Sequence, residues 1–208
     1  MSEMHETDSL AETPSEPVRK RPRPGERRLQ ILQTLASMLE QPGAERVTTA
    51  SLATRIGVSE AALYRHFASK AQMFEGLLDF VEQSVMNLIR QVTDREAPGP
   101  QQAARIVALL LQFAEKNPGM CKVMTGDALV LEHERLQERV NLLFDKIEAQ
   151  LRQSLRNTAK ASDTPTLDVQ VAGALLIAFM QGRLQRFVRS GFRRLPSEHL
   201  QACLSRML

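Results

Sequence analysis

The chain has no tryptophan, one tyrosine, two cysteines and four histidines in 208 residues. With so few large aromatic rings, a pocket built to stack a flat ligand has little to work with. Cys121 and Cys203 stand far apart, each inside a helical pattern. Two buried reduced thiols are expected rather than a disulfide, which fits a cytoplasmic setting. His5, His66, His133 and His199 are scattered, and no Cys or His pair has metal-ligand spacing. Glu132-His133-Glu134 sets three ligating side chains in a row, but neighbours on a helix point apart, so this reads as a solvated face. The ten glycines are spread over turns and none builds a phosphate-binding loop. No catalytic constellation is present, and the expectation is a non-enzyme without metal or cofactor. The longest uncharged apolar run, residues 171–180, is about half of what a membrane span needs. The N-terminus is acidic and polar, unlike a secretory signal. No membrane span and a cytoplasmic location are expected.

What is present is an uneven distribution of charge. The net charge is only +3. Residues 1–18 hold five acids and no Lys or Arg. Residues 19–70 hold ten basic side chains against Glu26, Glu40, Glu45 and Glu60. From residue 71 on, seventeen basic residues nearly balance fifteen acidic ones. Positive charge therefore gathers on one segment, the electrostatic footprint of phosphate binding. A solvated face that happens to be basic is the other reading of the same numbers.

Every strong pattern after Arg27 is helical. Ile31, Leu32, Leu35, Met38 and Leu39 make an apolar stripe at 3.6 spacing. Ser69 to Gln72 has the form of a capping box opening a helix over about 70–94, with Met73, Phe74, Leu77, Val81, Val85 and Leu88 inward. Breaks at 97–100 and 117–119 bound a helix over about 101–116, and a short helix then runs to about Thr125. A long helix is expected over about 128–157, with Leu129, Leu136, Val140, Leu143, Ile147 and Leu151 on one side. A break at 163–165, an apolar helix over about 166–189 and a short last helix from Pro196 complete the chain. With 43% hydrophobic residues the core is well supplied, and no strand pattern or repeat appears.

Residues 48–70 are the most informative. A first short helix is expected over about 49–56. Gly57 supplies a turn that tolerates positive φ. Ser59 stands at an N-cap and opens a second helix to about Phe67. Ala53, Gly57 and Leu63 fit the small, turn and apolar positions of two short helices crossing closely. Glu60, Ala61, Tyr64 and Arg65 face outward, as a helix in a major groove requires. Tyr64, Lys70, Thr48 and Thr49 are candidates for phosphate contact. Glu60 suits a cytosine amino group, and Ala61 or Ala62 a thymine methyl. Ser59, Arg65 and His66 complete the candidate DNA-binding set. Leu63 and Phe67 are expected in the core. For Tyr64 a half-buried packing role stays open.

The run Val58, Ser59, Leu63, Tyr64, His66, Phe67 and Lys70 resembles the DNA-binding domain of the TetR family of bacterial regulators. Ala61-Ala62 departs from the glycine often found early in that helix. Residues 27–192 further resemble the branch of the family that acts in nucleoid occlusion, through the 116–120, 125–156 and 186–192 segments.

The resemblance implies an all-α, TetR-like protein with a three-helix helix-turn-helix domain and a larger helical dimerisation domain. Residues 1–25 read as a disordered tail, 26–70 as the DNA-binding domain and 71–208 as the dimerisation and partner-binding domain. The basic end of the tail, Arg19, Lys20, Arg21 and Arg23, serves either DNA contact or solubility. The helix over 167–188 is apolar on more than one side. It is either a central buried helix or a homodimer face with Val171, Leu175, Ala178, Phe179 and Phe187 as candidates.

For partners the resemblance implies palindromic double-stranded DNA, a second copy of the chain, and the tubulin-like division protein FtsZ. A nucleoid-associated location in the cytoplasm goes with it. The positions matching a groove for the FtsZ tail are Phe80, Leu109, Lys116 and Asn117, while Leu88 and Gln112 depart from the pattern. Phe80 and Leu109 as core, and Asn117 as a helix cap, are the plainer readings. A ligand-responsive transcriptional repressor with a small-molecule pocket is the alternative function, and a closed cavity against an open groove in the larger domain separates the two.

Overall fold

The computed structural model describes residues 25–41, 47–130, 132–156 and 165–208. Residues 1–24 of the tail, with its basic arm, and residues 163–164 of the expected break lie outside them. Among the described residues there are nine α-helices and no strand.

Three helices make the N-terminal unit: α1 (Glu26–Leu39), α2 (Thr49–Ile56) and α3 (Glu60–Tyr64). The larger unit holds α4 (Lys70–Thr93), α5 (Pro100–Lys116), α6 (Pro118–Met124), α7 (Glu134–Leu155), α8 (Pro165–Arg189) and α9 (Leu200–Met207). Apolar side chains of both units join in one continuous core. α4 begins at Lys70, beside the expected boundary. Its Met73, Phe74 and Leu77 are buried, and a Cβ on Gly76 would stand 3.1 Å from the Phe67 ring and 3.3 Å from Leu32.

A closer contact joins α1 to α6. A Cβ on Gly119 would stand 2.0 Å from the Ala36 carbonyl oxygen, so only glycine lets these two backbones touch. Ion pairs tie α4 to α7 on the surface. Arg135 meets Glu75 at 2.7 Å, Arg139 meets Asp79 at 2.7 Å, and Lys146 pairs with Glu82. These pairs are partly exposed and orient the helices more than they stabilise them.

Several sequence expectations need correction. The long helix begins at Glu134 rather than near 128. A 3₁₀ turn over Asp127–Leu129 follows Gly126 at φ 75°, and His133 caps α7 by accepting from the Arg135 N–H through Nδ1 at 3.3 Å. Glu132 is therefore not on a helix face but pairs with Lys70. The inward residue near the end of α4 is Ile89, with Leu88 only half-buried. The box at Ser69 is half formed. Ser69 Oγ accepts from Gln72 N–H at 3.2 Å, but the Gln72 side chain reaches past it to Ala68 N–H at 2.8 Å. Helix α9 starts at Leu200, because residues 196–199 form turns that end on His199 at φ 53°.

Candidate nucleic-acid interface

Each short helix of the N-terminal unit is fixed at its ends by its own side chains. Thr48 Oγ1 accepts from Ser51 N–H at 3.1 Å and Ser51 Oγ accepts from Thr48 N–H at 3.1 Å, a reciprocal cap that opens α2. Gly57 ends α2 in the left-handed region at φ 76°, with its N–H donating to Ala53 O at 2.9 Å. Ser59 Oγ then accepts from Ala62 N–H at 3.3 Å and starts α3. The second helix is shorter than expected, closing at Tyr64, and Phe67 N–H still donates back to Leu63 O at 3.1 Å. Leu63 and Phe67 are buried as expected. With the inner face pinned, α3 turns Glu60, Ala61, Tyr64, Arg65 and His66 to solvent. Tyr64 is 45% exposed, too open for a packing tyrosine.

Two contacts hold this face in place. Glu60 Oε2 accepts from Thr49 Oγ1 at 2.7 Å, joining the start of α2 to the start of α3. Arg28 of α1 lies 3.9 Å over the Phe67 ring and donates from Nη1 to His66 O at 2.8 Å. Sequence reasoning missed Arg28, since nothing in a helical stripe shows that an outward arginine will fold back onto the end of another helix. Thr48 and Ser59 are exposed, and Thr49 and Ala62 are half-buried beside the same face. Lys70 stands apart from the other candidates. Its ammonium is half-buried, paired with Glu132 and 5.6 Å from the Phe74 ring centroid.

The other sequence candidates fall on the larger unit. Phe80 on α4 is 39% exposed, Leu109 on α5 is half-buried, and Lys116 is exposed. Asn117 joins α5 to α6, and its Nδ2 donates to Phe113 O at 2.7 Å. Gln112 is exposed. Val171, Leu175 and Ala178 are exposed on one stripe of α8, and Leu142 on the adjacent α7 is exposed too. Phe179 is half-buried beneath the Arg183 guanidinium, 4.9 Å from its ring centroid. Phe187 is a correction. It is 1% exposed and packs edge-on against Phe192 at 5.2 Å inside its own chain, so it cannot face a partner.

Both cysteines are free thiols. Burial pushes the Cys121 thiol up to about 12, so it stays neutral. Cys203, expected to be buried, is half-exposed and accepts from Arg183 Nη2 at 3.1 Å. No cluster of three ligating side chains fit for a metal occurs among the described residues, and no helix of theirs is long and apolar enough to cross a membrane.

Ile106, Leu110 and Leu111 lie in the interior of the larger unit, each at most 1% exposed. One open cleft of about 430 Å³ lies among α6, α7 and α8, lined by Met124, Gln137, Asn141, Gln181 and Arg189 among others.

Comparisons with known proteins agree with this arrangement. Residues 31–77 match the family described as bacterial regulatory proteins, tetR family. Residues 101–207 match the SlmA-like family described as tetracyclin repressor-like, C-terminal domain. The nucleoid occlusion factor SlmA of Idiomarina loihiensis is 49% identical over 177 residues, covering 85% of this chain and 90% of that protein. SlmA of Vibrio vulnificus is 48% identical over 177 residues, covering 84% and 90%. Among solved structures, the fatty acid degradation regulator FadR from Bacillus halodurans superposes with a TM-score of 0.74 at 15% identity, over 91% of this chain and 97% of that one. The regulator PfmR from Thermus thermophilus gives 0.67 at 21% identity, over 86% and 97%. At such identities these two speak for the fold alone. The capped helix-turn-helix, the all-helical larger unit and the full-length relatives agree, and the chain belongs to the TetR family, in its SlmA branch.

Proposed function

We propose that the protein is a nucleoid occlusion factor: a homodimer that binds palindromic chromosomal DNA, engages FtsZ and blocks septum assembly over the nucleoid. The observation that carries the reading is the 49% identity to SlmA across 85% of the chain, both units included. An ordinary repressor of the family would share the first unit and diverge in the second. The cleft among α6, α7 and α8 is open to solvent, which favours a protein partner over an enclosed effector, because a small ligand needs most of its surface covered.

The DNA contacts proposed are Thr48, Thr49, Ser59, Glu60, Ala61, Ala62, Tyr64, Arg65, His66 and Lys70. Ala61 or Ala62 suits a thymine methyl, Glu60 a cytosine amino group, and the rest phosphates and docking depth. The dimer face proposed is the stripe Val171, Leu175, Ala178 with Phe179 at its edge. Two recognition helices then sit on one side of the dimer, as reading a palindrome requires.

The proposed groove for the FtsZ tail uses Phe80, Leu109, Lys116 and Asn117. Phe80 offers apolar surface that the fold leaves uncovered, and Lys116 offers an exposed cation at a helix end for a carboxylate. Asn117 already caps α5, so its share in the groove is the weakest of the four.

The test has two parts. FtsZ is sedimented with the protein in the presence and absence of DNA. A labelled FtsZ tail peptide is then titrated against the parent, Phe80→Ala and Lys116→Glu, each checked for normal DNA binding. Weaker tail binding by both variants is expected. Unchanged affinity in both would move the groove elsewhere. No FtsZ binding by the parent, with or without DNA, would leave a ligand-controlled repressor as the better account.

A further inference from the structure

Between Asp168 and Glu198 the sequence has five arginines and no carboxylate side chain. Arg183 is occupied, donating from Nη1 to Glu198 O at 2.8 Å. Arg186, Arg189, Arg193 and Arg194 are exposed, and among the described residues none of them has an ion-pair partner. Arg186, Arg193 and Arg194 line one side of a cleft of about 540 Å³, with Glu198 its one acid. A second cleft joins Arg186 and Arg189 to Ala178 and Phe179 of the proposed dimer face. Part of this charge has a local explanation. Arg186 and Arg189 lie in the last turn of α8, where cations offset the helix dipole. Arg193 Nε also donates to Ser190 O at 2.9 Å. Arg194 has neither role. Its backbone N–H meets Ser190 Oγ at 2.9 Å and its guanidinium has no hydrogen bond among the described residues.

The packing shows which way this patch faces. The N-terminal end of α7 lies at the start of α4, which directly follows the DNA-reading unit, because Glu132 pairs with Lys70 and Arg135 with Glu75. The far end of α7 carries Arg152, and there α8 packs closely, with a Gly173 Cβ placed 2.5 Å from Arg152 Cγ. α8 therefore runs back toward the DNA-reading unit. Its C-terminal half reaches α6, where Cys121 Sγ lies 4.0 Å from Leu184 O. α6 in turn touches α1 at Gly119 and Ala36. The arginines thus emerge at the end of the larger unit nearest the recognition helices. They also continue the helix that carries the proposed dimer stripe, which sets both clusters of a dimer beside the two-fold axis. The centre of a palindrome lies on that axis.

We propose that Arg186, Arg189, Arg193 and Arg194 form a second phosphate-binding surface, which meets the DNA backbone between the two half-sites. The inference rests on the DNA-reading dimer proposed above. It assigns base reading to the N-terminal units and part of the affinity to the larger ones. Guanidinium groups suit the task, since they stay charged and donate in pairs to phosphate oxygens.

The test uses the full-length chain with Arg193→Gln and Arg194→Gln combined, since both lie outside the dimer stripe. The probe is a duplex bearing the site recovered by selection from random sequences. A matched duplex carries uncharged methylphosphonate linkages between its half-sites. Sedimentation first verifies the dimer. On the ordinary duplex, the slope of log affinity against log salt should fall by about 1.8 units if one arginine per protomer touches phosphate, and by about 3.6 if both do. On the duplex with the neutral centre, parent and variant should bind alike. A slope equal to the parent's on the ordinary duplex would overturn the proposal. An equal loss on both duplexes would overturn it as well, since the guanidiniums would then meet some other anion. A parent that shows no salt-dependent, site-selective binding would instead remove the DNA-reading dimer, and this surface with it.

Discussion

Helices α3 and α8 both expose one face, and the two faces have opposite chemistry. On α3 the outward side chains are Glu60, Ala61, Tyr64 and Arg65, small, polar or charged. On the α8 stripe proposed for the dimer they are Val171, Leu175 and Ala178, all apolar. The first face suits a groove lined by water and phosphate. The second loses free energy until another apolar surface covers it. Their construction differs in the same sense. α3 has 5 residues and is held by caps and by Arg28 and Glu60, so its placement is set by a few polar contacts. α8 has 25 residues and is set by packing along its length. Polar contacts place a short reader accurately and can be exchanged for contacts to DNA. A long apolar stripe gives affinity for a partner and little fine adjustment.

The largest expected effect tests the apolar half of that comparison. Leu175→Arg would place a charge in the proposed two-fold contact with no partner, at a cost of several kcal/mol. Monomers in sedimentation and loss of binding to palindromic DNA are expected, with the helical circular dichroism kept because Leu175 is 54% exposed within one chain. A dimer that survives would place the interface on another surface. The same change at Phe187 would unfold the chain instead, since that ring is core.

The next effect concerns the joint between the halves. Gly119→Ala would drive a methyl into the Ala36 carbonyl oxygen, and backbone cannot yield as a flexible side chain does. Overpacking of this kind costs about 1–3 kcal/mol. A lower Tm and weaker DNA binding should appear together, because α1 carries Arg28 and with it the end of the recognition helix. A lower Tm with unchanged DNA affinity would show that the joint only supports the fold.

A smaller effect separates two roles for Lys70. If it docks on phosphate, Lys70→Ala removes two contacts per dimer and lowers the salt slope by about 1.8 units, with base preference unchanged. Glu132→Ala would then free the ammonium and leave that slope intact. If Lys70 only clasps the loop before α7, the two variants lose stability alike and neither changes the slope. Tyr64→Ala serves as the reference for a pure surface contact, since Tyr64 has no such second partner among the described residues.

How far the sequence could be read divides along the same line. The helices, the caps at Ser59 and Ser69, the αL turn at Gly57 and the inward Leu63 and Phe67 were all legible, because spacing and local propensity determine them. The helix-turn-helix was legible for the same reason, being local in sequence. What stayed hidden depends on residues far apart in the chain. Lys70 and Glu132 meet across 62 positions, and Arg28 and His66 across 38. The start of α7 was misread because the apolar spacing carries on through Leu129, while the left-handed turn at Gly126 and the cap at His133 interrupt the helix. Phe187 was misread because periodicity marks a residue as apolar without saying which neighbour covers it. Ile89 and Leu88 were exchanged because one residue along a 24-residue helix turns the face by 100°.

The smallest effect asks whether the Thr49 to Glu60 bond is a clasp or a poised reader. The bond lies at the surface, so its net worth is at the low end of about 0.5–1.5 kcal/mol. A double-mutant cycle of Thr49→Val and Glu60→Ala on unfolding should return a coupling near that lower bound. DNA gives the sharper readout. A carboxylate that turns from Thr49 to a cytosine amino group leaves a mark on sequence preference, whereas a clasp leaves none. Selection from random duplexes with Glu60→Ala should therefore return a consensus relaxed at one position in each half-site, and Thr49→Val should keep the parent consensus at slightly altered affinity. If both variants return the parent consensus, Glu60 only holds α2 against α3, and base reading falls to Ala61, Ala62 and the neighbouring side chains of α3.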